Sequence, residues 1–233
     1  MKILAVGAHP DDVELLCGGT LALYAKQGHE VTIAYACRGD KGHFEIEAEE
    51  LARIRAKEAE EAASVIGARS IGLGIDDVEL RVNRECTMPF VDLIRKTRPD
   101  VIITHDPADY MPDHTVTSRL VFDASFIATL PHARTRHPFY DRITPIYYMD
   151  TLAGLGFEPE EYVDISETMD TKIEMLGKHK SQEQWLREHD KIDVLEFVRI
   201  TSAFRGLQCG ARYAEGFRRV HTWPRNPTRR YLP

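Results

Sequence analysis

Lys2-Ile3-Leu4-Ala5-Val6-Gly7-Ala8-His9-Pro10-Asp11-Asp12-Val13-Glu14 is the stretch from which the fold can be read. Residues 3–6 form an unbroken apolar run, the pattern of a strand buried on both faces of a parallel sheet. Where that run stops, three acidic side chains and an imidazole crowd together. Carboxylates at close quarters repel unless a cation or a hydrogen-bond network holds them. A core strand ending in such a cluster has little structural use for it, whereas a metal site has an obvious one.

Working outward, apolar strand-like runs recur at 31–36, 70–75, 101–104, 143–149 and 162–165, with helical patterns between most of them. A helix is expected over 21–27, closed by Gly28. Leu51, Ile54, Glu58, Ala62 and Val65 share one helical face, and 76–85 reads as a loop. The next helix should carry Pro89 near its first turn and end before Pro99. After the loop 106–112, Asp113 is expected to cap a helix running to about residue 130. Residues 131–142 read as irregular, and Ser166 should cap the first of the later helices. Strands alternating with helices from the start imply an α/β fold, a Rossmann-like and mostly parallel sheet with helices on both faces. No internal boundary stands out. Residues 1–222 are read as one domain and 223–233 as a basic, Pro-rich, solvated tail.

The chain has 233 residues, 43% of them hydrophobic, which suffices for one large domain with its own core. A net charge of −7 argues against a nucleic-acid partner. No apolar run approaches the roughly 20 residues of a membrane span, and the start is too short for a signal peptide. The four scattered cysteines form no CxxC pair and read as free thiols in a reducing compartment, so a cytoplasmic protein is expected. The turn after the first strand lacks the GxGxxG glycines of a dinucleotide loop. A receiver domain, which also has paired acids after its first strand, is about half this length and would leave His9-Pro10 unexplained.

Open parallel sheets bind ligands at the carboxyl ends of strands where the strand order reverses, and strands 1 and 4 are the usual neighbours there. Here the first strand ends in His9-Pro10-Asp11-Asp12, and the fourth is followed by His105 and a loop ending in Pro112-Asp113-His114. His9, Asp12 and His114 would make a metal site of two imidazoles and one carboxylate with a position left open for water, as in catalytic zinc centres. Asp11, beside a ligand but pointing elsewhere, suits a general base. Asp113 suits a capping role or one that orients a ligand.

These motifs resemble the LmbE-like/PIG-L family of zinc-dependent N-deacetylases, which includes the de-N-acetylase of GlcNAc-phosphatidylinositol and the deacetylases of mycothiol and bacillithiol synthesis. The family signature AHPDD(x)E matches Ala8 to Glu14, and its HPDH-like motif matches Met111-Pro112-Asp113-His114. Gly18-Gly19-Thr20, Arg55 with Glu58, His179-Lys180-Ser181-Gln182 and Tyr213-Ala214-Glu215-Gly216-Phe217 also have counterparts, so the likeness spans most of the chain. It implies His9, Asp12 and His114 as ligands to one Zn2+ per subunit, with Asp11 as base. It implies an N-acetylated sugar of GlcNAc type, or its conjugate, as small-molecule substrate, and it is compatible with homo-oligomers. Arg55 and His179 would contact substrate. Glu14 reads as a bystander.

One departure stands out. The family has a histidine, thought to stabilise the oxyanion, where this chain has Met111, and a thioether donates no hydrogen bond. Tyr110, His105 or His179 is expected to take its place. Two alternatives follow from the same residues. Two histidines and a carboxylate also form the triad of non-haem iron oxygenases, and Met111 is compatible with a sugar- or metal-binding protein without catalysis.

Overall fold

The computed structural model describes residues 1–225 and 230–233. Its centre is a seven-stranded sheet made of β1 (Lys2–Gly7), β2 (Glu30–Cys37), β3 (Arg69–Ile75), β4 (Val101–Thr104), β5 (Ile146–Met149), β6 (Glu161–Asp164) and β7 (Ala214–Arg219). The strand order is β3-β2-β1-β4-β5-β7-β6. The first five of these are parallel, and β7 runs antiparallel between β5 and β6. The order therefore reverses between β1 and β4, as expected from the sequence.

Alternation along the strands divides the core in two. Ile3, Ala5, Ile33 and Ile103 face α1 (Asp12–Lys26), α2 (Ala48–Ser64), α5 (Met169–Leu176) and α7 (Val194–Cys209). Leu4, Val6, Ala34 and Ile102 face α3 (Arg84–Thr97) and α4 (Pro112–Ile127). Both faces of β1 are thus dry, which is why its apolar run is unbroken. The short helix α6 (Lys180–Trp185) continues into a π-helical turn, Leu186–Asp190, ahead of α7. Among the described residues, no helix is long and apolar enough to cross a membrane.

Several local expectations need correction. The first helix starts at Asp12, not at residue 21, and is kinked at Cys17 (φ −142°, ψ 16°). The amides the kink releases are taken by a distant strand: Gly19 N and Thr20 N donate to the Glu215 carboxylate at 2.9 and 2.8 Å. Gly19 has no room for a side chain, since a Cβ there would lie 2.8 Å from Ile165. Strand β7 carries Glu215, Arg218 and Arg219, a composition that hides its strand character. Pro89 is the sixth residue of α3, whose start is fixed by Asn83 accepting from Cys86 N at 2.8 Å. Helix α4 begins with Pro112, so Asp113 sits inside its first turn and does not cap it. Residues 226–229 of the expected tail lie outside the described residues. On either side Arg225, Tyr231 and Leu232 are buried, and Tyr24 Oη donates to the Tyr231 carbonyl at 2.9 Å.

Glu215 also accepts from Lys172 Nζ at 2.5 Å, and both side chains are 2% exposed. Truncating one partner of a buried pair strands the other charge. Glu215→Ala is expected to destabilise the protein by about 3–5 kcal/mol, read as a lower denaturant midpoint at unchanged slope.

Candidate metal centre

The turn after β1 separates two adjacent carboxylates. His9 N donates to Asp12 Oδ2 at 2.6 Å, which turns Asp12 back over the strand end. Asp11 adopts φ 110°, ψ −28°, a left-handed conformation that costs a non-glycine residue of order 1–3 kcal/mol. Strain of this kind persists where surrounding contacts over-determine it. Here the Arg55 guanidinium does so, donating to the Pro10 carbonyl and, at 3.2 Å, to Asp11 Oδ1.

Across the β1–β4 reversal, α4 brings up His114. One donor atom from each of His9, Asp12 and His114 falls within 4.8 Å of the other two. His9 Nδ1 is 3.5 Å from Asp12 Oδ2, and His114 Nε2 is 3.2 Å from Asp12 Oδ1. Both His114 nitrogens are buried without a properly oriented hydrogen-bond partner. The opposite nitrogen of each imidazole faces a carboxylate, His9 Nε2 meeting Asp113 at 3.2 Å and His114 Nδ1 meeting Asp109 at 3.1 Å. Those carboxylates are themselves fixed, Asp113 accepting from Val78 N at 2.8 Å and Asp109 from Met111 N at 3.0 Å. This carboxylate–histidine arrangement is how proteins set ligand tautomers, so the donor set fits a metal ion.

Two other groupings have metal-like spacing, His9–Cys37–Asp77 and His105–Asp109–His114. Both borrow a residue from the first. In one, burial and the nearby Asp113 and Asp77 push the Cys37 thiol far up, keeping it protonated. In the other, His105 Nε2 accepts from Ala8 N at 2.9 Å and its Nδ1 is buried without a partner, while His114 Nδ1 and Asp109 already face each other at 3.1 Å. His105 is fully buried and stacks on His114 at 3.9 Å. Burial, with His114 adding, lowers its pKa to about 4. It backs the His114 ring and does not border the cleft.

Behind Asp11 lies a buried charge relay. Glu14 is fully buried, accepts from Tyr35 Oη at 2.5 Å and lies 3.5 Å from His179 Nε2. Burial opposes the charged form of His179, but Glu14 and Asp11 outweigh it and raise its pKa. For Asp11 the balance runs the other way. Burial, with Asp12 adding, pushes it up to about 6 against the pull of Arg55, His179 and His9. Arg55 and Glu58, three residues apart, are both buried and serve different segments, Glu58 accepting from Ser181 N and Oγ at 2.8 and 2.6 Å. Gly39 is required opposite Arg55, because its φ is +72° and a Cβ would lie 2.6 Å from the guanidinium.

The cleft above this centre has a volume of about 270 Å³ and is bordered by His9, Asp11, Asp12 and Arg55. Tyr110, 75% exposed, and Met111 form its rim on the α4 side.

The order reversal, the donor triangle and both motifs coincide with a known family. A profile described as GlcNAc-PI de-N-acetylase (PIG-L) matches residues 4–125. The chain belongs to the PIG-L family. It is 31% identical to diacetylchitobiose deacetylase of Thermococcus kodakarensis, over 94% of this chain and 83% of that protein. It is also 26% identical to 4-oxalmesaconate hydratase of Pseudomonas putida, over 93% of this chain and 88% of that one. Among solved structures, N,N'-diacetylchitobiose deacetylase of Pyrococcus horikoshii superposes with a TM-score of 0.81 at 29% identity, covering 94% and 83% of the two chains.

Two acids around this cluster carry little signal in the sequence. Glu14, which reads as a bystander, is buried against Tyr35 and His179, and only its place in the AHPDD(x)E motif marks it. Asp109 has no motif at all; an acid at the end of a strand-to-helix loop is too common a feature to single out. Asp109→Ala is expected to weaken metal binding about 10–100-fold, measured by competition with a chromophoric chelator.

Proposed function

We propose that this chain is a Zn2+-dependent N-deacetylase, one ion per chain, acting on a small N-acetylated sugar of GlcNAc type or its conjugate. The observation that carries the proposal is the His9–Asp12–His114 triangle with a carboxyl poised at about 6 beside it. A bound Zn2+ would supply Lewis acidity toward the amide carbonyl and make water acidic near neutral pH. The chain's own residues do the rest. Asp11 accepts the proton lost by the attacking water and returns it to the departing nitrogen, a task suited to a group titrating near the working pH. Arg55 holds Asp11 in its strained conformation, and His179 with Glu14 sets the charge behind it. Asp113 and Asp109 orient the two imidazoles.

Met111 offers no donor to a developing oxyanion. His105 is turned into the fold and His179 is buried below Asp11, so Tyr110, on the rim, is the group proposed to supply an O–H. Tyr110→Phe is expected to lower kcat about tenfold or more with KM nearly unchanged, as measured in initial-rate assays.

The Pseudomonas relative raises a second reading, hydration of an unsaturated polycarboxylate such as 4-oxalmesaconate. Such a substrate needs free cations, and Arg55, the cationic side chain bordering the cleft, is already bound to Pro10, Gly39 and Asp11. The deacetylase reading is therefore preferred. Acetate release from N-acetylglucosamine and diacetylchitobiose, abolished by chelator and restored by Zn2+, supports it. Metal-dependent loss of an unsaturated polycarboxylate such as 4-oxalmesaconate, or oxygen consumption with bound iron, without acetate release, would overturn it.

A further inference from the structure

We infer that the true substrate carries an apolar group next to the scissile amide, larger than the single methyl of an acetyl group or larger than a bare sugar on the amine side. The inference rests on the amide-hydrolase reading above. Its basis is the wall of the cleft facing Asp11. Leu15, Leu152, Leu186, Ile192, Val194 and Phe197 converge there from α1, the turn Leu152–Gly154, the π-helical turn, the segment after it and α7. Leu15 is one helical turn beyond Asp11, so the apolar surface begins beside the proposed base. Met111 extends it onto the opposite rim, where the family motif has an imidazole.

A pyranose ring carries hydroxyls on every side, and each needs a polar partner once water is excluded. Besides His9, Asp11, Asp12, Arg55 and Tyr110, the polar side chains lining the cleft are Gln182, Trp185 and Asp190, against the six apolar ones and Met111. Gln182 Oε1 is buried without a hydrogen-bond partner and borders the same cleft, which matches a single N–H or O–H of the ligand. Ile192 is 38% exposed, Leu15, Leu152, Leu186 and Phe197 are partly buried and Val194 is buried, so the wall runs from an open rim into the packed core. Each methylene buried there should raise kcat/KM about fourfold. The same chemistry could arrive as a longer acyl chain or as a hydrophobic aglycone.

The experiment compares carboxylate release by the zinc-loaded protein from three sets of substrates. The first is N-acetylglucosamine and diacetylchitobiose. The second is N-butanoyl-, N-hexanoyl- and N-octanoylglucosamine, and the third is octyl and phenyl N-acetylglucosaminides. A kcat/KM at least about tenfold above the first set is expected in one of the other two, and which one identifies the source of the apolar group. Ile192→Gln should cut that ratio severalfold, and a ratio of activities is insensitive to the fraction of protein folded. Equal rates across all three sets would overturn the inference and leave the deacetylase intact. No carboxylate release from any of them would instead overturn the hydrolase reading beneath it.

Discussion

Asp11→Asn is expected to lower kcat/KM by about 10²–10⁴, leave metal content unchanged and make the protein more stable. The three outcomes have one cause. Burial, with Asp12 adding, has pushed this carboxyl from 3.8 to about 6. A folded-state pKa raised in an acid means the native protein resists losing that proton. Stability therefore falls as pH rises from about 4 to about 6, and the full penalty persists above. For a residue only 6% exposed, its upper limit is about 3 kcal/mol. Asparagine carries no charge to bury and tolerates the left-handed backbone at φ 110° better than most residues. The metal-free variant should melt several degrees above wild type, while acetate release by the zinc-loaded variant collapses. Wild-type kcat/KM should fall tenfold per pH unit below a limb at or under about 6, since bound cation favours the carboxylate. A variant that retains full activity would remove Asp11 from the chemistry, and one that loses both activity and stability would make it a structural residue.

What could be read from the sequence was set by how local the information is. Strand β1 and the reversal beside it were legible because a strand buried on both faces has no alternative but a continuous apolar run. His9-Pro10-Asp11-Asp12 was legible because so many ionisable groups at a strand end need a chemical reason. Strand β7 was not, because its burial depends on partners far away in sequence: Glu215 is tolerable inside only with Lys172 and the freed amides of Gly19 and Thr20 around it. The kink in α1 was hidden for the same reason, since the residue that satisfies it lies 196 positions on. Arg55 and Glu58 were found, but their spacing suggested a pair, whereas each grips a different segment. The apolar wall of the cleft had no motif; it is assembled from short irregular pieces whose convergence only the fold creates.

Metal affinity should rise with pH with a slope approaching two decades per unit near neutrality, and each ion bound at pH 7 should release about two protons. Without a cation the triangle is a cluster of acids with imidazoles among them. Burial alone would lower both histidines. Instead, the hydrogen bonds and charges of Asp113 and Asp12 carry His9 up to about 10, and Asp12 and Asp109 carry His114 up to about 9. At pH 7 the metal-free protein therefore holds a proton on each ligand nitrogen, and an incoming ion must displace both. Asp12 adds nothing to the count: burial would raise it, but His114 and His105 hold it well below the usual carboxylate range, so it is already ionised. As pH climbs through about 9 to 10 the competing protons leave unaided and the slope should flatten. Competition with a chromophoric chelator at several pH values, and proton release in weak buffer with an indicator dye, would give the two numbers independently. Chelation should abolish acetate release and Zn2+ should restore it over the same pH range. A flat affinity profile would mean that neither imidazole holds a competing proton near neutrality, and the charge balance around His9 and His114 would have to be redrawn. A slope near one would mean that only one of the two imidazoles is protonated in the metal-free protein at neutral pH.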